Sequence, residues 1–432
     1  MNLRLTKTVV VLLAQALFPA ATLPAATTRV WTNSFANANW SNAANWSNGV
    51  PVDGDSVVLL RHPLGSPVSA VNDLTNLTLV SLRCEALGYN LSGGALRLAN
   101  EVLMGGPVAG ANMNISAPVG IPGPTLRIVS TNSSELTLSG LVSAPPTAIV
   151  TVDGGFRFRA VPAPDYQAET HFLNGFVALL FTRLNGPLII GGTPTNFASI
   201  VLQSGNQFGN FPPLTVLTNG SVFNISTFQA VGPLTVNGGT LRLGNRSPQG
   251  EITVNGPALL TGGANLFVTA INNFGPGAIS VTGSVTLAGC TLAFQPGSSA
   301  ITQPAVIVRN DGNDPVNGVF TGLPEGSVLT NDTVRYILSY VGGDGNDITL
   351  SPIIEPAKFI SSTVTNGALE YTVQGQPGFT YVIEATTNLL SPPALIPWVP
   401  IKTSGTRANG QFPFTDPDST NFPHRFYRVV KP

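Results

Sequence analysis

Residues Val216–Gly256 read VLTNGSVFNISTFQAVGPLTVNGGTLRLGNRSPQGEITVNG, and the architecture of the chain is decided in this stretch. Asn219-Gly220, Asn237-Gly238 and Asn255-Gly256 recur at intervals of 18 residues, each Asn preceded three positions earlier by an apolar residue, Val216, Leu234 or Ile252. A related turn, Thr282-Gly283, lies 27 residues further on. A period of about 20 residues with Gly at fixed turns is the signature of a solenoid built from one supersecondary unit per repeat. Short β-branched runs between the turns make that unit a coil of a parallel β-helix. Equal spacing of Asn predicts a ladder of amides hydrogen-bonded from coil to coil. Asn-Gly also supplies the positive-φ turn of any β protein, however. The rival architecture is a row of β-sandwiches, with turn signals at about 8–12 residues but no register between domains.

The same pattern extends outward in both directions. LTLVSLRCEAL (Leu77–Leu87) and ISVTGSVTLAGCTLAF (Ile279–Phe294) alternate apolar and polar residues and break at Gly, while helical periodicity is almost absent. Composition agrees. Of 432 residues only 9% are charged, against roughly 25% in ordinary soluble proteins, and there are 46 Gly and 36 Pro. Coiled coils and helical repeats are excluded by this composition, and a net charge of −1 denies nucleic acid a basic face. A hydrophobic content of 43% with so little charge argues against disorder.

At the N-terminus, Arg4 and Lys7 precede the apolar run Val9–Phe18 and the small-residue pattern Leu23-Pro24-Ala25. This reads as a signal peptide over residues 1–26, cleaved after Ala25 or Ala26. A run of ten residues is too short to span about 30 Å of hydrocarbon, and no other stretch is long and apolar enough, so no membrane span is expected after cleavage. The mature chain is expected to be secreted or held at the cell surface.

A parallel β-helix is expected over residues 27–352, with roughly 15 coils of about 20 residues and a rod of about 70 Å. The two cysteines, Cys84 and Cys290, would then lie about ten coils and ~50 Å apart. A disulfide needs Cα atoms within about 7 Å, so two unpaired, buried thiols are expected. Three of the four Trp, Trp31, Trp40 and Trp46, stand at the start of this rod. They read as a plug for the open first coil, which exposes apolar cross-section and strand edges. Stacking on sugar rings is the functional alternative.

The start, with Asn39-Trp40-Ser41, Ala44-Asn45-Trp46, Gly49, Pro51 and Gly54-Asp55 leading into Val57–Leu60, resembles bacterial exported β-helix proteins of the autotransporter-associated β-strand repeat type. The closing part of the rod is similar to the same group. It runs through Asn310-Asp311-Gly312-Asn313-Asp314-Pro315, Gly322-Leu323-Pro324-Glu325-Gly326 and Tyr340-Val341-Gly342-Gly343-Asp344-Gly345-Asn346-Asp347. The body between matches only in style. Residues 353–432 carry three of the four Lys and strand candidates at Phe359–Val364, Ala368–Val373, Thr380–Ala385, Trp398–Ile401, Phe412–Thr415 and Phe426–Val430. A small β-sandwich is expected there. Tyr381–Leu389, Trp398, Phe414-Thr415-Asp416 and Arg425–Arg428 resemble a C-terminal, fibronectin-III-like module of exported bacterial proteins.

Signs of chemistry are sparse. Polysaccharide hydrolysis needs two or three converging carboxylates, and lyase chemistry needs a basic residue beside Ca²⁺ held by acids. No Asp or Glu occurs between Glu169 and Glu251, and no Lys between Lys7 and Lys358. His62, His171 and His424 lack metal-ligand spacing. Two places are richer in polar groups. One comprises Asp311 and Asp314 with their echo Asp344 and Asp347. There, oxygen-rich turns bind Ca²⁺ in one reading and are Asx-turns at coil corners in the other. The second comprises Arg157, Arg159, Asp165, Tyr166, Glu169 and His171, a ligand patch or a surface excursion with local ion pairs. No catalytic residue, cofactor or metal is assigned. The expectation is a non-enzymatic structural or adhesive surface protein presenting an extended β-helix face to cell-surface glycans or matrix components. The alternative is a carbohydrate-binding or polysaccharide-degrading β-helix protein.

Overall fold

The computed structural model describes residues 26–432. The exceptions are 33–37, 61–67, 107–109, 160–164, 181–183, 203–207, 225–228, 244–250, 270–277, 297–299, 332–333, 366–367, 390–391 and the single positions 86, 132, 155 and 295. The expected signal peptide and His62 lie outside the described residues, as do the side chains of Arg157 and Arg159.

The chain winds past three faces in turn. On the first, Thr28–Trp31 pairs in parallel with Ser56–Leu59 and that strand with Leu77–Cys84. Further along, Leu188–Ile190, Leu214–Leu217, Leu234–Asn237, Ala258–Thr261 and Val285–Ala288 stack on one another in parallel. The second face includes Tyr89–Gly93, Asn112–Ile115 and Glu135–Leu138, and ends with Asn265–Val268 on Thr291–Phe294. The third is built from Gln229–Val231, Ile252–Val254, Ile279–Val281 and Ala305–Asn310. Nearer the N-terminus its rungs are the leading ends of Leu77–Cys84 and Leu96–Met104, then Val119–Gly120 and Val142–Ser143.

Alternation explains these strands. In Leu234–Asn237, Leu234 and Val236 are buried and Thr235 points outward. In-register pairing places Val236 between Val216 and Leu260, so inward residues form continuous apolar columns. The expected parallel β-helix is therefore present.

Asn219, Asn237 and Asn255 do not form the expected ladder, and the coils around them are longer than expected. Leu214 pairs with Leu234, Leu234 with Ala258 and Ala258 with Val285, steps of 20, 24 and 27 residues. Steps elsewhere reach 28, from Thr28 to Ser56, and 29, from Ile279 to Val308, so the chain makes fewer coils than the fifteen expected. The 18-residue interval joins positions that are not equivalent. Asn219 lies in the turn between the first and second faces, Asn237 ends a first-face strand and pairs with Leu217 and Thr261, and Asn255 lies between the third face and the first. Asn219 and Asn255 each bond to main-chain carbonyls of the preceding coil rather than to another Asn. The Asn219 amide donates to the carbonyls of Thr193 and Pro194 at 3.0 and 3.2 Å, and that of Asn255 to Val231 at 3.4 Å. The structural counterpart of Asn255-Gly256 is Thr282-Gly283, whose Thr hydroxyl accepts from the Gly256 N–H at 3.0 Å. Corner loops of unequal length take up the difference in spacing.

At the N-terminal end Trp31 and Trp40 are almost fully buried and Trp46 nearly so. The Trp46 ring meets the other two edge-on, with centroids 4.9 and 5.4 Å away. Its indole N–H donates to the Trp40 carbonyl at 2.8 Å. Buried rings have no free face for a sugar; these tryptophans plug the first coil. Cys84 and Cys290 are both buried and form no disulfide, as the rod requires.

At the other end the pairing changes sense. Ala305–Asn310 is parallel to Ile279–Val281 on one side but antiparallel to Asp347–Ile353 on the other. That strand pairs antiparallel with Val334–Gly342, which pairs with Val328–Asn331. An antiparallel meander stops parallel addition and covers the last coil. Residues 358–430 form two three-stranded antiparallel sheets, Lys358–Thr365/Ala368–Gln374/Gln411–Thr415 and Val399–Gly405/Thr380–Thr386/Phe426–Val430. Tyr381, Ile383, Phe412 and Phe414 are buried in this unit.

Candidate functional site

The third face carries a surface depression in the N-terminal half of the solenoid. Strand register aligns Thr78 with Arg97, Arg97 with Gly120 and Gly120 with Ser143. A bridge between Ala144 and Tyr166, with the Ala144 N–H donating to the Asp165 carbonyl at 3.0 Å, sets Asp165 as the next step. Each position alternates with buried neighbours, such as Leu96 and Leu98 or Val119 and Ile121, so the column faces outward. Two adjoining depressions of about 540 and 380 Å³ share Arg97, Gly120, Ser143 and Asp165. Asn76, Pro118 and Leu141 border one, and Pro122, Pro145, Pro146 and Gln167 the other. Gly120 forms the low point: a Cβ there would meet Arg97 Cγ at 3.6 Å and Ser143 Oγ at 3.7 Å, ordinary contact distances. Both Arg97 and Asp165 are exposed.

Of the second polar region, Asp165 thus reaches this groove, while the rest divides. Tyr166 points into the core, where its hydroxyl is 2.6 Å from that of Thr170, and burial pushes its phenol pKa up. His171 stays on the surface and pairs with Glu169. The lining residues include one carboxylate, Asp165. Two acids do converge on the first face, but on a cation: Glu101 and Asp153 lie 3.2 and 3.8 Å from Arg127.

The echoing Asp segments are brought together. The Asn346 amide donates to the carbonyl oxygens of Gly312 and Asp314, and the Asp347 carboxylate accepts from the Asn310 N–H at 2.9 Å. Asp347 is buried, whereas Asp311, Asp314 and Asp344 are exposed. Among the described residues no three His, Cys, Asp or Glu are grouped to hold a metal ion. These turns lace the closing meander to the last coil.

Sequence reading missed Arg97, Gly120 and Ser143. Their signal is a 23-residue spacing, Arg97 to Gly120 and Gly120 to Ser143, repeated by Leu96, Val119 and Val142. No Asn-Gly turn marks it.

Pairing and site together define an all-β solenoid protein with an open groove across its rungs. No protein-family model matches the chain, and no curated protein matches it. Among solved structures, the crystal structure of the Haemophilus influenzae Hap adhesin is similar, with 12% identity and a TM-score of 0.27 over 72% of this chain. The match spans 41% of that chain. At such identity and score the class rests on this chain's own strand pairing.

Proposed function

We propose that this is a non-enzymatic, exported surface protein that presents its β-helix face for adhesion, with a fibronectin-III-like sandwich at its C-terminal end. The observation that carries the reading is the groove, which crosses successive rungs and is open along the solenoid axis. A site of this kind grips something long at many weak points rather than enclosing a small substrate. Its polar groups are spread one per rung. The reading of residues 1–26 as an export signal supports placement outside the cell.

The test uses the purified mature chain, coupled to fluorescent beads and applied to bacterial cells, plant cell-wall material and extracellular matrix. Retention above that of beads bearing an unrelated β-helix is the expected result. Equal retention on every surface would refute adhesion.

A further inference from the structure

We infer that the groove binds an extended, uncharged oligosaccharide laid along the solenoid axis; this deepens the adhesive reading by naming the ligand class of that site. Three features lead there.

The first is repeat length. Adjacent rungs are about 4.8 Å apart, so the three steps from Arg97 to Asp165 extend over about 14 Å, and Asn76 on the preceding rung lengthens the groove to about 19 Å. One rung is close to the length of one pyranose unit in an extended chain. Successive sugars would meet successive rungs, about four in all.

The second is charge. Arg97 and Asp165 lie three rungs apart, about 14 Å, and among the described residues neither side chain has an ion-pair partner. Opposite charges at separate points of one groove give a uniformly charged polymer no net attraction, because what one end gains the other loses. A polyanion meets Asp165, and a polycation meets Arg97. A hydroxyl-rich neutral chain satisfies both, because a sugar hydroxyl accepts from guanidinium at one point and donates to carboxylate at the other. Ser143, Asn76 and Gln167 add both donor and acceptor capacity along the same path.

The third is shape. Gly120 leaves the middle of the column without a side chain, in a strand whose φ imposes no need for glycine. Backbone strain does not explain the residue. The open space above it does, since any larger side chain would stand in the path between Arg97 and Ser143. The flanking prolines are rigid walls that lose little entropy on binding.

The experiment titrates the full mature chain with cellotetraose, xylotetraose and mannotetraose as neutral probes. Tetragalacturonate and a chitosan tetramer serve as the anionic and cationic probes. Binding is followed by saturation-transfer NMR and calorimetry. At least one neutral tetramer is expected to bind, and neither charged one. Gly120→Val should weaken binding tenfold or more, and Gly120→Ala, whose Cβ fits at ordinary contact distance, should weaken it without lowering the melting temperature. Arg97→Ala, at an exposed position, should weaken it about tenfold, as the loss of a hydrogen bond to a charged group does. Preference for a charged tetramer, no binding of any neutral one, or binding indifferent to these substitutions overturns the inference. Adhesion that persists undiminished in Gly120→Val removes the groove and leaves the adhesive reading standing. Tetramer binding by a chain that adheres to nothing does the reverse.

Discussion

The tryptophan plug offers the sharpest test of how this solenoid is held together. In Trp46→Ala a nearly buried indole is lost, which costs about 3–5 kcal/mol for transfer and cavity together. Its two edge-on contacts, at 4.9 and 5.4 Å, are part of that packing. The Trp40 carbonyl also loses its 2.8 Å donor, worth about 1–3 kcal/mol in a buried site. The total is on the order of 5 kcal/mol, or several thousandfold in amide-exchange protection. A solenoid is quasi-one-dimensional, so the loss should stay near the damaged end. Exchange measured by mass spectrometry should accelerate in Thr28–Trp31, Ser56–Leu59 and Val68–Asn72, the strands nearest the plug. Leu234–Asn237 and Val285–Ala288, many coils away, should keep their wild-type rates. Trp46→Phe should recover most of the packing and remain short by about one hydrogen bond. Unchanged protection at Thr28–Trp31 in the alanine variant, or a loss spread evenly to Val285–Ala288, would refute this account. In the wild type, intrinsic fluorescence from these buried rings should not respond to added sugar.

Other consequences are as direct. Cys84 and Cys290 should resist a thiol reagent in the native protein and both react once it is unfolded; burial also pushes the Cys290 pKa up, which keeps it in the unreactive thiol form. Removing the Asp347 carboxylate in Asp347→Ala leaves the buried Asn310 N–H unpaired, so stability in urea should fall by about 1–3 kcal/mol, with exchange rising first in Ala305–Asn310. In the sandwich, Arg425 lies 2.8 Å from the buried Asp416 carboxylate, and Arg425→Ala should cost about 3–5 kcal/mol in the melting of that unit. Tyr166 has a folded pKa raised by burial, so its contribution to stability is full below about pH 10, where the phenol is neutral in both states, and falls as pH rises because the unfolded phenol ionises first. Tyr166→Phe should flatten the alkaline limb of the stability–pH curve; an unaltered limb would show that other groups drive it.

The fold was largely legible because its physical cause is local. Alternation in Leu234–Asn237 and Ile252–Val254 declares which residues point inward, and Gly at the turns declares where the chain bends. The strand candidates of the C-terminal unit fall within or beside the observed strands for the same reason, as with Phe412–Thr415 inside Gln411–Thr415. The Asn interval misled because it measures distance along the chain, whereas stacking depends on which corner a residue occupies. A loop inserted at any one corner shifts the numbering of every later coil without disturbing the pairing.

The amino-acid sequence by itself determined that this chain is all-β, which residues of its strands point inward, and that its ends differ from its middle. Each of these follows from composition and short-range pattern, which folding can only obey. The tertiary structure alone decided register, and with it the site. Arg97, Gly120, Ser143 and Asp165 are far apart in the chain and carry no motif; pairing at 4.8 Å intervals is what makes them one surface. The same pairing decided between the two readings of Trp31, Trp40 and Trp46 in favour of the expected plug, because only packing reveals which face of a ring is left for solvent.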